Sequence, residues 1–288
     1  MQTHKVIFVL GAPRSGTTLL INMLVMNQSK IYGYFGESQF YTTTYRKPYT
    51  VDTFLNDRYF KAIINEEETK TIFSRSKDHI EFFKNTIEHC LQREGKNIFA
   101  EKSPMHTLFY KDILNDFPNA EFMIIHRNFC ANVQSIAFTR WIPLASDVMP
   151  TFIKENKTVR YFFATLLFYH YWKLCKVVEQ HPACKLSLQY EDIIMEKVNV
   201  REELKKALGF EPDEVFVSRP FSDAVTHKNY SFDTSRVEDY KNKMPKSIQN
   251  FINSVFQPSG LWQHLTGGFI RYFIFEPVEI LKKLAGKK

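Results

Sequence analysis

The sequence predicts an α/β fold in which a central, mostly parallel β-sheet is flanked by helices in three layers. Short apolar runs at residues 5–10 and 120–126 are typical of strands buried on both faces. Predicted strands alternate with predicted helices along the chain, which favours a parallel sheet with helical crossovers. The 288 residues, 44% of them hydrophobic, suit one large domain. Since there is no internal repeat and no low-complexity linker, we expect a single domain spanning residues 1–288.

The first part of the chain carries two predicted strands. Residues 5–10 form the first, and the glycine-containing segment 11–16 breaks it. A helix is predicted at 17–26, where apolar residues recur at the spacing of a core-facing side. A second short strand at 31–35 ends just before Glu37.

The rest of the chain continues the alternation after a long segment, 39–97, that is predicted to be mainly helical and is rich in Phe and Tyr. The remaining strands are predicted at residues 97–100, 120–126 and 185–190. The remaining helices are predicted at residues 105–114, 128–140, 158–180 and 200–208. Gly209 is expected to close the last of these helices as its C-cap.

Composition and charge narrow the class of ligand. With 24% charged residues the chain is neither disordered nor fibrous. The net charge of +7 favours a polyanionic ligand, an acidic membrane surface or nucleic acid. Since the positive residues are dispersed and no basic–aromatic RNA-binding motif is present, we expect no nucleic-acid partner.

Several features point to the cytoplasm and away from a metal centre. The first apolar run is too short for a secretory signal, and no stretch reaches the ~18 apolar residues of a membrane span. The cysteines lack metal-ligand spacing and the histidines are scattered, so we expect reduced thiols and no metal. The apolar and basic tail at 267–288 fits two interpretations. It is either a closing helix packed on the core or a peripheral contact with the inner face of a membrane.

The segment 11–18, Gly-Ala-Pro-Arg-Ser-Gly-Thr-Thr, has the strand–loop–helix context of a phosphate-binding loop. Glycines let successive N–H groups point at one anion, and the helix N-terminus adds its positive dipole. The glycine spacing matches the P-loop of nucleoside-triphosphate enzymes, but Thr17 stands where that loop has its lysine, and Arg14 supplies a cation inside the loop. We therefore predict a P-loop-like fold that binds a less charged group than a β,γ-phosphate. The predicted contacts are Gly11, Pro13, Arg14, Ser15, Gly16, Thr17 and Thr18.

This loop resembles the 5′-phosphosulfate loop of the sulfotransferases that use 3′-phosphoadenosine 5′-phosphosulfate (PAPS). Segment 123–135 resembles the 3′-phosphate clamp of that family, and the resemblance implies that Arg127 and Ser135 hold this phosphate. Segment 101–106, Glu-Lys-Ser-Pro-Met-His, resembles the Lys-containing turn of bacterial and Golgi-type members. Segment 186–192 resembles the strand end near the adenine, which implies a place there for Tyr190.

Two departures from the family pattern stand out. Asn128 follows the clamp arginine where the family usually has Asp. The glycine-rich basic segment of the cytosolic small-molecule enzymes is not visible, and segment 218–228 is instead similar to the nucleotide-side loop of tyrosylprotein-type members. That similarity implies cofactor contacts from Ser222 and Lys228.

The resemblance implies in-line transfer of a sulfuryl group from PAPS to an acceptor hydroxyl, with release of adenosine 3′,5′-bisphosphate and no metal requirement. Lys102 is the candidate for the positive charge on the leaving phosphate oxygen. Arg14 would hold the sulfate together with the loop hydroxyls. Glu37 is the candidate base, and His106 is the alternative base or a residue that orients its own turn.

The sequence leaves several alternatives open for the acceptor and for the functional class of the protein. The aromatic side chains of 39–97 fit a hydrophobic alcohol (sterol, lipid or phenol), a lipid-linked sugar, or the sugar rings of a glycan O-sulfotransferase substrate. We favour the hydroxyl of a hydrophobic small molecule or a lipid-linked hydroxyl over a free glycan. Outside this class, the chain fits a P-loop nucleotide kinase or NTPase without its lysine, or an inactive nucleotide-binding protein.

Overall fold

The computed structural model describes residues 4–25, 28–33, 36–138, 155–213, 221–222, 229–230 and 234–256. At residues 221–222, 229–230 and 235–236 only the backbone is described. The predicted tail contact at 267–288 and the predicted contact of Lys228 lie outside these residues.

A five-stranded parallel sheet forms the centre of the molecule, with strand order β2-β3-β1-β4-β5. Its strands are β1 Lys5–Leu10, β2 Ile31–Gly33, β3 Ile98–Lys102, β4 Glu121–His126 and β5 Cys184–Gln189. A short antiparallel pair, β6 Phe221–Ser222 and β7 Asn229–Tyr230, is separate from it. The segments after β1, β3 and β4 therefore leave the same edge of the sheet.

Helices connect the strands. The longer ones are α1 Thr17–Val25, α4 Glu66–Ser74, α5 His79–Glu94, α7 Phe129–Ala137, α8 Lys157–Glu179, α10 Val200–Leu208 and α12 Lys246–Val255. The shorter ones are α2 Val51–Leu55, α3 Phe60–Ile63, α6 Tyr110–Asp116, α9 Tyr190–Ile194 and α11 Tyr240–Lys243. A π-helical turn spans Phe40–Thr44, and 3₁₀ turns span Pro104–Phe109 and Thr234–Val237.

Side chains of the central strands alternate between two buried layers. Phe8 and Phe122 pack on one face with α5, whereas Ile7 and Met123 pack on the other face with α1. A strand buried on both faces has no polar side, which is why it appears in the sequence as a continuous apolar run. The predicted three-layer α/β fold with a parallel sheet is confirmed.

The bounds of two predicted elements differ from the structure. The helix predicted at 105–114 begins as a 3₁₀ turn and becomes α-helical only at Tyr110. Tyr190, predicted at the end of a strand, is the first residue of α9 and packs with the layer that contains α1. The prediction that the strand includes Tyr190 is therefore wrong, because the strand ends at Gln189. Gly209 closes α10 in the left-handed conformation, as predicted.

The aromatic residues of segment 39–97 serve mainly as core. The segment is largely helical, as predicted. Phe40 stacks on Phe83 with ring centroids 4.3 Å apart, and Phe54 stacks on Phe82 at 3.7 Å. All four rings are fully buried. Since these rings contact one another, the aromatic content of the segment is not evidence for a hydrophobic acceptor.

None of the helices in the described part of the chain is both long enough and apolar enough to cross a membrane.

Candidate active site

The predicted phosphate loop lies at the carboxyl edge of β1, between that strand and α1. Its glycines take conformations that other residues avoid: φ is 157° at Gly11 and 107° at Gly16. A Cβ on Gly11 would stand 2.6 Å from Ser15 Oγ and 2.7 Å from the Ile125 carbonyl oxygen. Thr17 and Thr18 form the first turn of α1, where backbone N–H groups have no acceptor within the helix. The loop therefore offers several N–H donors and a helix N-terminus to one anion.

Ser15 has an unusual environment for a polar residue of this loop. Its side chain is fully buried, yet its Oγ has no hydrogen-bond partner among the described residues. A buried hydroxyl without a partner costs free energy, so such groups usually meet a ligand or an ordered water. The contact of Ser15 with an anion stays a prediction.

Two residues that the sequence analysis did not single out hold the loop in place. The Gly11 N–H donates to Thr107 Oγ1 at 3.1 Å, and the same hydroxyl donates to the Gly11 carbonyl at 3.1 Å. The side-chain amide of Asn132, oriented with Nδ2 towards the Pro13 carbonyl (3.2 Å), accepts from the Ser15 N–H at 3.3 Å. Asn132 lies three residues before Ser135 on α7, and that spacing on one helix face was the available signal.

The predicted 3′-phosphate clamp adjoins this loop. Arg14 Nε donates to Ser135 Oγ at 3.1 Å, and Arg127 donates from a terminal nitrogen to the Arg14 carbonyl at 3.0 Å. Arg14 itself has φ 68°, a left-handed conformation that is strained for a residue with a side chain. The contacts from Arg127 and Ser135 hold it there. Since β1 and β4 are neighbours in the sheet, the two predicted anion sites share one edge.

Tyr190 closes the same region from α9. The Arg127 guanidinium lies 4.8 Å from the centroid of its ring, a cation–π geometry. A Cβ on Gly16 would stand 2.6 Å from Tyr190 Cδ2, so the ring covers the loop directly. Tyr190 is thus placed between loop and clamp.

Asn128, the departure from the family pattern, has a structural task. Its side chain accepts from the Ala131 N–H at 3.2 Å and caps α7. Its own N–H donates to Glu191 Oε1 at 3.0 Å, which ties the start of α7 to α9. Asparagine caps helices about as well as aspartate, so the replacement keeps this end of the clamp in place.

Lys102 and Glu37 meet at the carboxyl edge of β3. Lys102 Nζ lies 3.0 Å from Glu37 Oε1 and 3.3 Å from Thr18 Oγ1. The lysine side chain is 3% exposed and the glutamate side chain 23% exposed. The ammonium therefore stands between the phosphate loop and the one carboxylate predicted as a base.

His106 occupies a different place from Glu37. It is fully buried; its Nδ1 lies 2.8 Å from Glu101 Oε2, and its Nε2 accepts from the Tyr41 N–H at 3.4 Å. Both ring nitrogens are thus engaged inside the protein, with the proton on Nδ1. This geometry favours the interpretation that His106 orients its turn and is not the base.

Burial alone would raise the pKa of Glu101, but its interaction with the His106 ring and the hydroxyls of Ser38 and Ser103 together hold the pKa below its usual value. Glu101 is therefore an ionised carboxylate inside the protein. The sequence analysis quoted Glu101 beside Lys102 without a role; the side-chain alternation of a strand was the signal that it faces the opposite layer.

Of the remaining predicted residues, Ser222 lies in β6, where only the backbone is described. Lys228 lies outside the described residues. Across the residues that the structure describes, no group of three or more His, Cys, Asp or Glu side chains could hold a metal ion.

Comparison with known proteins places this geometry in a family. A sequence profile described as "Sulfotransferase family" matches residues 6–214 of the chain, which include the loop, the clamp and the Lys102 turn. The chain belongs to the sulfotransferase family. Among curated proteins, none matches this sulfotransferase significantly.

Solved structures share the fold of this sulfotransferase. The sulfotransferase domain from the Synechococcus PCC 7002 olefin synthase matches with a TM-score of 0.59 and 14% identity, over 87% of this chain and 94% of that chain. The sulfotransferase domain from the curacin biosynthetic pathway matches with a TM-score of 0.62 and 18% identity, over 88% of this chain and 98% of that chain. Family and fold together support a sulfotransfer reaction.

Proposed function

We propose that this sulfotransferase moves the sulfuryl group of PAPS to an acceptor hydroxyl and releases adenosine 3′,5′-bisphosphate. One observation carries the proposal: Arg14, in the loop, contacts Ser135 and receives a hydrogen bond from Arg127, the two residues of the predicted clamp. Two anion sites that touch each other can be occupied by the two ends of one nucleotide. A loop alone would support any phosphate-binding enzyme.

The residues present fit this donor. The buried Ser15 Oγ, which has no partner among the described residues, and the tight turn that Gly11 and Gly16 allow suit the 5′-phosphosulfate. Arg127 and Ser135 would hold the 3′-phosphate, and the Tyr190 ring would lie near the adenine. The proposed donor supplies a sulfuryl group on a good leaving group, so the reaction needs charge stabilisation and a base rather than a metal.

In the proposed reaction the bond between sulfur and the 5′-phosphate oxygen breaks while sulfur bonds to the acceptor oxygen. Glu37 takes the proton of the acceptor hydroxyl. Lys102 stabilises the negative charge that develops on the phosphate oxygen. Lys102 Nζ lies 3.0 Å from Glu37 Oε1 and 3.3 Å from Thr18 Oγ1. This position supports the two proposed roles, because it places the ammonium between the base and the phosphate loop.

The test of the function is mass spectrometry of reactions fed with PAPS. A panel of sterols, lipids, phenols, lipid-linked sugars and free glycans should yield one class of product that carries the mass of added SO₃. We propose a hydrophobic or lipid-linked hydroxyl as that class, and the support for it is the apolar and basic sequence of the tail at 267–288. Transfer only to a free glycan would replace it with a glycan O-sulfotransferase activity.

A ligand-stability experiment separates the rival classes. Adenosine 3′,5′-bisphosphate should raise the melting temperature, since a ligand at 100 times its Kd stabilises by about 2.7 kcal/mol. Stabilisation by Mg²⁺-ATP together with ATP turnover would instead indicate a nucleotide kinase or NTPase. Nucleotide binding without transfer to any acceptor would indicate an inactive nucleotide-binding protein.

Arg127→Ala should weaken the binding of PAPS far more than that of adenosine 5′-phosphosulfate, because only PAPS has the 3′-phosphate. A charge-assisted hydrogen bond contributes about 1.5–3 kcal/mol, so we expect roughly 10- to 150-fold weaker binding of PAPS by calorimetry. Arg201→Ala, which removes an exposed arginine paired with Glu211, is the matched control. Equal losses for both nucleotides would show that Arg127 only supports the loop.

A further inference from the structure

The segment that carries Glu37 is attached to the end of β3 through its backbone. The N–H of Ser38 donates to Glu101 Oε1 at 3.3 Å, and the N–H of Gln39 donates to Ser103 Oγ at 2.9 Å. The N–H of Phe40 donates to Ser38 Oγ at 3.3 Å, and the N–H of Tyr41 donates to His106 Nε2 at 3.4 Å. Four successive N–H groups therefore end on one side-chain network.

Glu101 is the centre of that network. Besides the Ser38 N–H, it accepts from Ser38 Oγ at 2.6 Å, from Ser103 Oγ at 3.0 Å and from His106 Nδ1 at 2.8 Å. Glu101 is 1% exposed, so the charge of its carboxylate is stabilised by these donors rather than by water. Removing the charge or any one donor would leave a buried polar group without its partner.

The network holds a strained backbone beside the proposed base. Gln39 has φ 48° and ψ 28°, a left-handed conformation that is unusual for a residue with a side chain. Its side chain donates to Glu37 Oε2 at 3.3 Å. Strained conformations persist where the surroundings determine them, and here the determining contacts come from Glu101, Ser103 and His106.

Glu101 does not act on Lys102 directly. Successive side chains of a strand point to opposite faces, and Lys102 contacts Thr18 on the α1 side whereas Glu101 contacts His106 on the other. β3 thus carries Lys102 on the α1 side. On its other side it carries Glu101, which holds the segment that contains Glu37. The distance between Glu37 and Lys102 depends on both.

We propose that Glu101, together with His106, is a positioning residue: it holds the backbone of residues 38–41 so that the Glu37 carboxylate stays beside Lys102. The inference rests on the proposed function and assigns to two buried side chains a part in the reaction without contact with substrate. Its structural half, the attachment of 38–41, can be tested without any activity.

Hydrogen exchange tests the attachment. In Glu101→Gln an NH₂ group replaces one carboxylate oxygen and cannot accept from the donors that face it. The backbone amides of residues 38–41 should therefore exchange at least about tenfold faster than in the wild type, while the amides of β1 keep their protection. Glu179→Gln is the matched control, because Glu179 is a partly buried carboxylate that also accepts from a histidine and a serine, His126 and Ser187. Unchanged exchange at 38–41 in Glu101→Gln would overturn the proposal. If that variant folds poorly, Ser38→Ala breaks the same link from the other side.

A double-mutant cycle tests the effect on the reaction. Glu101→Gln should lower kcat about 10- to 100-fold with the KM for PAPS unchanged, and should cost little more in the Glu37→Gln background. Additive losses would show that Glu101 does not act through Glu37. A wild-type protein that transfers no sulfuryl group would refute the proposed function, whereas the exchange result would still decide the attachment.

His106 provides a conservative rescue. Asparagine can place an N–H donor near the position of Nδ1, so His106→Asn should keep activity within about tenfold of wild type, whereas His106→Leu should lose as much as Glu101→Gln. If His106 were the base, both variants would be equally inactive, and that outcome would overturn the positioning role.

Discussion

Lys102→Ala should lower kcat for sulfuryl transfer by about 10²–10³-fold, the loss expected when one preorganised electrostatic donor is removed from an active site. The side chain is 3% exposed, and its ammonium lies within 3.3 Å of the loop hydroxyl of Thr18. No other ammonium is placed there among the contacts of the described residues. Steady-state kinetics with PAPS and the accepted hydroxyl substrate measure the effect.

The affinity of Lys102→Ala for adenosine 3′,5′-bisphosphate should stay within about twofold of wild type, because Lys102 stabilises charge that develops during transfer. Lys5→Ala is the matched control. Lys5 Nζ pairs with Glu121 Oε2 at 2.7 Å, and these two residues begin β1 and β4, at the amino ends of the strands. A kcat within about threefold of wild type in Lys102→Ala would remove Lys102 from the mechanism.

Glu37→Gln should lower kcat by about 10²–10⁴-fold, the usual contribution of a general base. Glutamine keeps the size of the side chain and an oxygen that can accept from Lys102, so the buried ammonium retains a partner. The variant therefore removes the proton acceptor with little other change. Calorimetric binding of adenosine 3′,5′-bisphosphate should be unaffected, since the loop and the clamp do not include Glu37.

Glu121→Gln serves as the control for Glu37→Gln, because it neutralises the carboxylate of the lysine–glutamate pair at the far edge of the sheet. The result also separates the two candidate bases. If Glu37→Gln kept wild-type turnover while His106→Asn lost it, the base would be His106 and the assignment made from burial would be wrong.

Local sequence patterns were sufficient for the strands, most helices and the phosphate loop. The apolar run ending at Leu10 and the glycines at 11 and 16 lie within a few residues of each other, and their conformations follow from steric rules that act locally. The resemblance to a family added Arg127 and Ser135 as a clamp. Neither source showed that Arg14 would contact both residues, which lie 113 and 121 positions away.

Local reasoning was misleading where a residue type suits both core and site. The Phe and Tyr residues of 39–97 were interpreted as a lining for the acceptor, but rings such as Phe54 and Phe82 stack inside the core. His106 was the alternative candidate base because the cytosolic branch of the family that the sequence resembles uses a histidine, but burial against Glu101 and Tyr41 engages both of its nitrogens. Burial depends on which elements pack together, and that information is absent from any short window.

By itself the sequence determined the class of fold and the chemistry available: a glycine loop with its own arginine, a lysine at a strand end and a carboxylate after another strand. Only the tertiary structure decided which of these groups meet. The strand order β2-β3-β1-β4-β5 places β1 between β3 and β4, so the loop lies between Lys102 and Arg127. The physical reason is that parallel neighbours deliver their carboxyl ends to one edge, and side chains far apart along the chain converge there.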